Sequence, residues 1–256
     1  ERTLYLENKT AIKTHLVISA DGKNSYLRKL LSINTINKNI KHIAVSGFLK
    51  QSNHHNSTAI QAFTNLGPIG ILPYENKNLV NFVLSINEIK CEKILSEKNP
   101  EQFLCNELNN FFSNINLHFS PVKKINHIEN KLSYWSLNLN FITNPTSLRT
   151  ILIGDAAHSI HPLAGQGLNL SLRDCVSTLS AIKNCLRFGN DLGDETVLEY
   201  YKNERVPKTI LMTAFTDLMF FAFTATSNKT QTLLTKGMED LNRTNLKNIF
   251  RDLASI

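Results

Sequence analysis

The sequence predicts a mixed α/β fold, with strand–turn–helix units on either side of an inserted antiparallel sheet and helices towards the C-terminal end. Three observations carry that expectation. The runs THLVISA and TILI each lead into a turn containing glycine and aspartate, and helical stretches follow. Between them, residues 41–86 break into short segments rich in Ile, Val and Phe, separated by Asn, Gly, Pro and Lys, which is the texture of antiparallel strands. Beyond Leu168, apolar residues recur at helical spacing. The chain thereby divides into residues 1–32 together with 144–189, an intervening 33–143, and a helical region 190–256.

The elements follow in order. TLYLE and THLVISA alternate as strands do and are joined by the turn-prone pair Asn8-Lys9, so a hairpin is expected. Asp21-Gly22 ends the second strand, and Asn24 or Ser25 is available to cap a short helix over NSYLRKLL. HIAVSGFL, TAIQAFT, GPIGILPY and LVNFVLSI supply the sheet, with Ile60, Ala62 and Thr64 on one face and Gln61 and Phe63 on the other. Glu88–Ile115 reads as helix, interrupted near Asn99-Pro100, where Asn99 can cap and Pro100 suits the first helical position. SYWSLNLNF returns to alternation. Thr150–Ile153 is a short buried-type strand. Leu168, Leu172, Val176, Leu179, Ile182 and Leu186 then mark a helix that Phe188-Gly189-Asn190 ends. Asp194 caps the next helix, and Pro207 is expected to kink or interrupt it.

Composition narrows the class. With 42% hydrophobic and 19% charged residues, the chain has a globular balance. Its formal charge is +7, which suits anionic membrane surface, phosphorylated cofactors or nucleic acid. The basic residues are dispersed and do not alternate with aromatics, so nucleic acid is not an expected partner. Cys91, Cys105, Cys175 and Cys185 form no C-x-x-C pair, and a reducing cytoplasm is the expected setting. No apolar run reaches the roughly 18 residues of a membrane span. Alternation begins within a few residues of Glu1, so the chain is expected to open inside a fold.

The segment with most chemistry is GDAAHSIHPLAGQGLNL, Gly154 to Leu170. A strand delivers Gly154, Asp155 and two alanines to a turn, where small residues let another body approach the backbone. Asp155 is an acceptor suited to sugar or polyol hydroxyls. Past Pro162, Gly165-Gln166-Gly167 presents unshielded N–H groups at the start of a helix, whose positive end stabilises negative charge. On spacing alone two readings stay open: a ligand turn, or a junction whose glycines serve geometry only. His158 and His161 give H-x-x-H, but no Cys or Glu clusters nearby and no metal site is expected. Ser159 lacks a nucleophile-elbow pattern.

GDAAHSIHPLAGQGLNLSLRD closely resembles the GDAAH…P…GQG…N flavin motif of class A aromatic monooxygenases, and its H-P-L-A-G-Q-G-x-N-L core is similar to the ubiquinone-biosynthesis hydroxylases of that group. Ser19-Ala20-Asp21-Gly22-Lys23-Asn24-Ser25-Tyr26-Leu27-Arg28 resembles the family's A-D-G-x-x-S-x-x-R element. AIQAFTNLGPIGILPY resembles its substrate-domain sheet, and YYKNERVPKTILMTAFTDLMFF its C-terminal helices. The resemblance runs nearly end to end. Two departures are Ser171, where many relatives carry Gly, and Ser19.

The resemblance implies an FAD-binding, Rossmann-like domain in residues 1–32 and 144–189 and a substrate domain in 33–143. Asp155, with Gly154, would hold the ribityl chain. Pro162, Gly165, Gln166, Gly167, Leu168 and Asn169 would line the flavin, the last five along its pyrimidine edge. Asp21, Gly22 and Arg28 would sit near the pyrophosphate; read without the family, they are a capped turn with a surface arginine. The family's G-x-G-x-x-G would precede Glu1. The implied activity is NAD(P)H- and O₂-dependent hydroxylation of a polyprenyl phenol, alongside other ubiquinone-biosynthesis proteins. Phe63, Ile71, Leu72, Pro73 and Phe82 are candidate pocket walls or ordinary core, and Tyr74 is a candidate phenol partner. No side chain stands out as a catalytic base. The apolar stretch Ile210–Ala225 is either core packing or a surface for a partner or the inner face of a membrane. Other readings are a related monooxygenase or flavin reductase acting on another substrate, and a truncated chain that binds no FAD.

Overall fold

Asn8 and Lys9 do reverse the chain, with Lys9 in the left-handed region at φ 65°. The computed structural model describes residues 1–125, 128–162 and 165–224. The chain opens with β1 (Arg2–Tyr5) and β2 (Ala11–Thr14), an antiparallel hairpin in which Tyr5 faces Ala11. The expected second strand, THLVISA, is corrected. The hairpin closes on AIKT, and Val17–Ser19 forms a separate β3. The break falls at His15, where the Thr14 hydroxyl donates to the Leu16 carbonyl (2.8 Å) and the strand cannot continue in register.

After β3 come α1 (Tyr26–Leu30) and β4 (Ile36–Gln51), then β5 (Ile60–Phe63), β6 (Pro68–Pro73) and β7 (Leu79–Asn87). Two helices follow, α2 (Glu88–Leu95) and α3 (Pro100–Phe112). Asn87 caps α2 by accepting from Ile89 N–H (3.0 Å), and Pro100 takes the first turn of α3 as expected. Asn99 makes no side-chain cap. The short strands β8 (Phe119–Pro121), β9 (Lys124–Ile125) and β10 (Ile128–Glu129) lead to β11 (Ser133–Phe141). The chain continues through β12 (Thr146–Ser147), β13 (Thr150–Leu152), β14 (His158–Ser159), α4 (Gln166–Arg187) and α5 (Glu195–Thr224).

The described residues fall into two compact units, Glu1–Lys38 with Leu139–Ala222, and Asn39–Asn138. In the second, β4, β7, β6 and β5 pair antiparallel in that spatial order, with β8 also against β4. The register stacks Val45 and Leu84 with Ile69, and Leu49 with Val80, on one face. That face packs on Cys91, Ile94, Leu104, Cys105, Leu108 and Phe112 of the two helices. Period-two alternation with one buried face produces this layer, as the sequence led one to expect.

In the first unit, β3 lies parallel to β13, and β12 runs antiparallel on the far side of β13. Helix α4 forms where the apolar spacing places it, yet its buried face is different. Leu168, Leu172, Val176, Leu179 and Leu186 are exposed in the structure, whereas Leu170, Asp174, Ser177, Ala181 and Cys185 are buried. Helix α5 continues through Pro207, so the proline does not interrupt it. Proline there forfeits one backbone hydrogen bond, but Tyr201 and Arg205 before it and Thr209, Met212 and Thr216 after it are buried, so packing on both sides offsets that loss. The expected helix beyond Thr224 lies outside the described residues.

Candidate functional site

Two parallel neighbours bring two turns together. Thr150, Ile151 and Leu152 of β13 face Val17, Ile18 and Ser19 of β3, and Ile153 N–H donates to the Ser19 carbonyl (2.9 Å). The carboxyl ends of both strands therefore finish side by side, one at Ala20-Asp21-Gly22 and the other at Gly154-Asp155-Ala156. In open parallel sheets, ligands bind at such ends.

The first turn is held by its own side chains. Asp21 accepts from the Ser19 hydroxyl (2.6 Å) and from the N–H groups of Tyr26 (2.7 Å) and Leu27 (3.2 Å). Partial burial pushes its pKa up, but these hydrogen bonds and one from Ser25 prevail and bring it down to about 2. Ser25 caps α1 by accepting from Arg28 N–H (3.0 Å). Arg28 is buried rather than a surface arginine. Its guanidinium donates to the carbonyls of Ala156 (2.9 Å) and Lys23 (2.6 Å), tying one turn to the other. Burial lowers the pKa of Lys23, and the charge of Asp155 works against that, which marks the two as neighbours.

The second turn hangs on a buried charge cluster. Asp174 of α4 is fully buried and accepts from Gly154 N–H (2.9 Å), His158 Nε2 (2.6 Å) and Arg205 Nε (2.7 Å). Burial pushes the Asp174 carboxyl up, but His158, Arg205 and the Gly154 amide outweigh it and hold it below the usual range. Tyr201 donates to the Leu152 carbonyl (2.9 Å), two residues before Gly154. Gly154 itself sits at φ 59°, and an added Cβ would meet Ser171 Oγ at 3.1 Å. Glycine is required there both for conformation and for the close approach of α4. Asp155, next in line, is exposed.

Helix α4 begins at Gly165, which adopts the left-handed conformation at φ 61° and makes no side-chain cap. No acidic residue occupies the first turn. A Cβ added to Gly165 or Gly167 would meet nothing within 4 Å. Among the described residues no side chain caps the first N–H groups of this 22-residue helix, which fits an anionic group. Asn169 Nδ2 donates to Gln166 Oε1 (3.2 Å), ordering the first turn. Leu168 is exposed and Pro162 half-buried.

The structure brings Asp21, Gly22, Arg28, Gly154 and Asp155 to the adjoining strand ends, while Gly165–Asn169 open the helix whose Asp174 anchors Gly154. The candidate pocket walls are not brought together. Ile71 and Phe82 are fully buried against α2 and α3, and strand register puts Pro73 on their face. Alternation puts Phe63 and Leu72 on the other face, and Tyr74 meets the Phe48 ring edge-on at 4.9 Å. Among the described residues no group of three His, Cys, Asp or Glu could hold a metal ion. His158 serves Asp174, and His161 is buried with its ring 4.2 Å from that of Phe220. Sequence reasoning missed Asp174, Arg205 and Tyr201. The available signal was Asp174 itself, a charge in the segment that continues the motif.

Paired turns at parallel strand ends, joined to an uncapped glycine-led helix, define a nucleotide-cofactor domain. The chain belongs to the FAD binding domain family, which matches residues 3–216. It is 30% identical to the ubiquinone biosynthesis monooxygenase COQ6 of Dictyostelium discoideum, over 95% of this chain and 56% of that protein. It is 28% identical to the ubiquinone hydroxylase UbiL of Rhodospirillum rubrum, over 85% of this chain and 48% of that one. The chain spans about half the length of these curated relatives. HpxO of Klebsiella pneumoniae, solved in complex with FAD and uric acid, shares the fold with a TM-score of 0.68 at 15% identity, covering 98% of this chain and 62% of that one. PqsL of Pseudomonas aeruginosa, a probable FAD-dependent monooxygenase, superposes with a TM-score of 0.66 at 18% identity, covering 86% and 59%.

Proposed function

We propose that this chain supplies the flavin-facing part of an FAD-dependent hydroxylase that uses NAD(P)H and O₂ to hydroxylate a polyprenylated phenol in ubiquinone biosynthesis. The observation that carries the reading is the exposed Asp155 carboxylate on a glycine turn that Asp174 of α4 holds, with the N-terminus of that helix uncapped. Similarity to COQ6 and UbiL supports the substrate class. When bound, FAD supplies the redox chemistry: NAD(P)H gives two electrons, one atom of O₂ enters the ring and the other leaves as water.

The chain's own residues hold and orient. Asp155 accepts hydrogen bonds from the ribityl hydroxyls. The N–H groups opening α4, with Gln166 and Asn169, meet the pyrimidine edge, and the helix dipole favours negative charge there. Asp21, Gly22 and Arg28 stand towards the pyrophosphate, where Arg28 acts by locking the two turns together. Peripheral membrane contact belongs to the same proposal. Ile210, Leu211, Leu218 and Phe221 are exposed and fall on one side of α5, and the net charge of +7 favours anionic lipid. Among the described residues no helix is long and apolar enough to cross a membrane. A cytoplasmic setting, in which the four cysteines stay reduced, and partnership with other ubiquinone-biosynthesis proteins belong to the same proposal.

The test uses the full-length protein, reconstituted with FAD, and a strain lacking the gene. The reading expects flavin absorbance on the purified protein and accumulation of an unhydroxylated polyprenyl phenol in the strain. Failure to retain FAD would remove the cofactor; an unaltered quinone profile would remove the substrate.

A further inference from the structure

The paired turns bring two carboxylates, Asp21 and Asp155, to the place where a phosphorylated cofactor would lie. The hydrogen bonds from Ser19, Tyr26 and Leu27 keep Asp21 ionised. A phosphate brought beside two carboxylates is repelled unless a cation stands among them. The basic residues of the two turns, Ser19–Arg28 and Ile153–Ser159, are Lys23, Arg28 and His158. Two of the three already serve the protein itself. Arg28 is 8% exposed, and its guanidinium donates to the carbonyls of Ala156 (2.9 Å) and Lys23 (2.6 Å). His158 is buried against Asp174 (2.6 Å). The cation for a ligand is then Lys23.

Lys23 follows Gly22, whose φ of 79° turns the chain out of β3, and the Arg28 bond to its carbonyl fixes its backbone. Its side chain is half-buried, and the Asp155 carboxylate of the other turn acts on it. It therefore lies at the junction of the two turns. Partial burial works against the ammonium and Asp155 works for it, so a second anion arriving there is favoured. Lys23 stands at the first unspecified position of the A-D-G-x-x-S-x-x-R element, and the resemblance assigns it nothing. Resting on the flavin reading, we propose that the Lys23 ammonium, and not Arg28, donates to the pyrophosphate of FAD and offsets the charge of Asp21 and Asp155.

The test is FAD binding to the full-length protein without turnover, followed by quenching of flavin fluorescence over a series of NaCl concentrations. Wild type should bind FAD less tightly as salt rises. Lys23→Gln should weaken binding about tenfold at low salt, the worth of one hydrogen bond to a charged group, and should flatten the salt dependence. Lys23→Arg, which keeps the charge, should restore both. Lys23→Gln that holds FAD as tightly as wild type would overturn the proposal and leave the flavin reading standing. A weaker Lys23→Gln with the salt slope of wild type would overturn it too, since the side chain would then act through structure and not through charge. Wild type that binds no FAD at any salt concentration would instead remove the flavin reading itself. Should Lys23→Gln fail to fold, the wild-type slope decides, and a flat one overturns the proposal.

Discussion

The two units are held together by opposite means. In the sheet unit, nearly everything buried is apolar, and Gln51 and Ser85 are its only buried polar side chains among the described residues. In the turn-bearing unit, Arg28, His158, Asp174 and Arg205 are all buried and joined to one another or to the backbone of the turns. Packing tolerates small shifts of backbone, whereas a charge-assisted hydrogen bond sets where an amide must lie. The unit that carries the Asp155 turn uses the second means, and the sheet uses the first.

The difference is broken most severely at Asp174. Asp174→Ala leaves Arg205 buried without its partner and should cost about 3–5 kcal/mol in urea denaturation of the full-length protein. The same variant should loosen FAD binding, because Gly154 N–H loses its acceptor. The counterpart in the sheet is Phe82→Ala, which should cost about 3 kcal/mol by leaving a cavity against α2 and α3. Phe82 faces the helices, so FAD affinity should stay unchanged. A loss of FAD affinity in Phe82→Ala would erase the division of labour between the units.

Smaller effects sharpen the comparison. Ser25→Ala removes the cap of α1 and should cost about 1 kcal/mol, read as a shift in the denaturation midpoint. Asp21 supplies a pH signature. Its pKa of about 2 in the folded chain lies below the roughly 3.9 of an unfolded aspartate. Its contribution is therefore complete above about pH 4 and disappears as pH falls towards 2. Melting temperature followed across that window should fall less steeply in Asp21→Asn than in wild type. Identical slopes would mean that the Asp21 hydrogen bonds carry no stability. Least of all, Leu72→Ala on the exposed face should change stability by no more than about 0.5 kcal/mol.

Much of this was legible in the residues. The segments GPIGILPY and LVNFVLSI placed the sheet, alternation in TAIQAFT put Ile60 and Ala62 together on the face that meets the core, Pro100 marked the start of α3, and the glycines at 154 and 165 proved to sit at positive φ. Local rules of this kind concern residues a few positions apart. The Asp174 cluster escaped because its partners lie 16 and 31 residues away and meet only through the fold. The apolar spacing of α4 also directed attention to Leu168, Leu172 and Val176, which are exposed, and away from the face that carries Asp174. The candidate walls divide between the two faces of the sheet for a simpler reason. Ile71, Leu72 and Pro73 are neighbours in sequence, and in a strand neighbours point to opposite sides.

The most direct test of the account is the affinity of the full-length protein for FAD with and without the Asp155 carboxylate. Asp155 is exposed and caps nothing, so Asp155→Ala should fold and melt as wild type does. Loss of hydrogen bonds to a charged acceptor, about 1.5–3 kcal/mol, corresponds to at least a tenfold weaker FAD dissociation constant. A folded Asp155→Ala protein that holds FAD as tightly as wild type would contradict the assignment of this turn to the flavin.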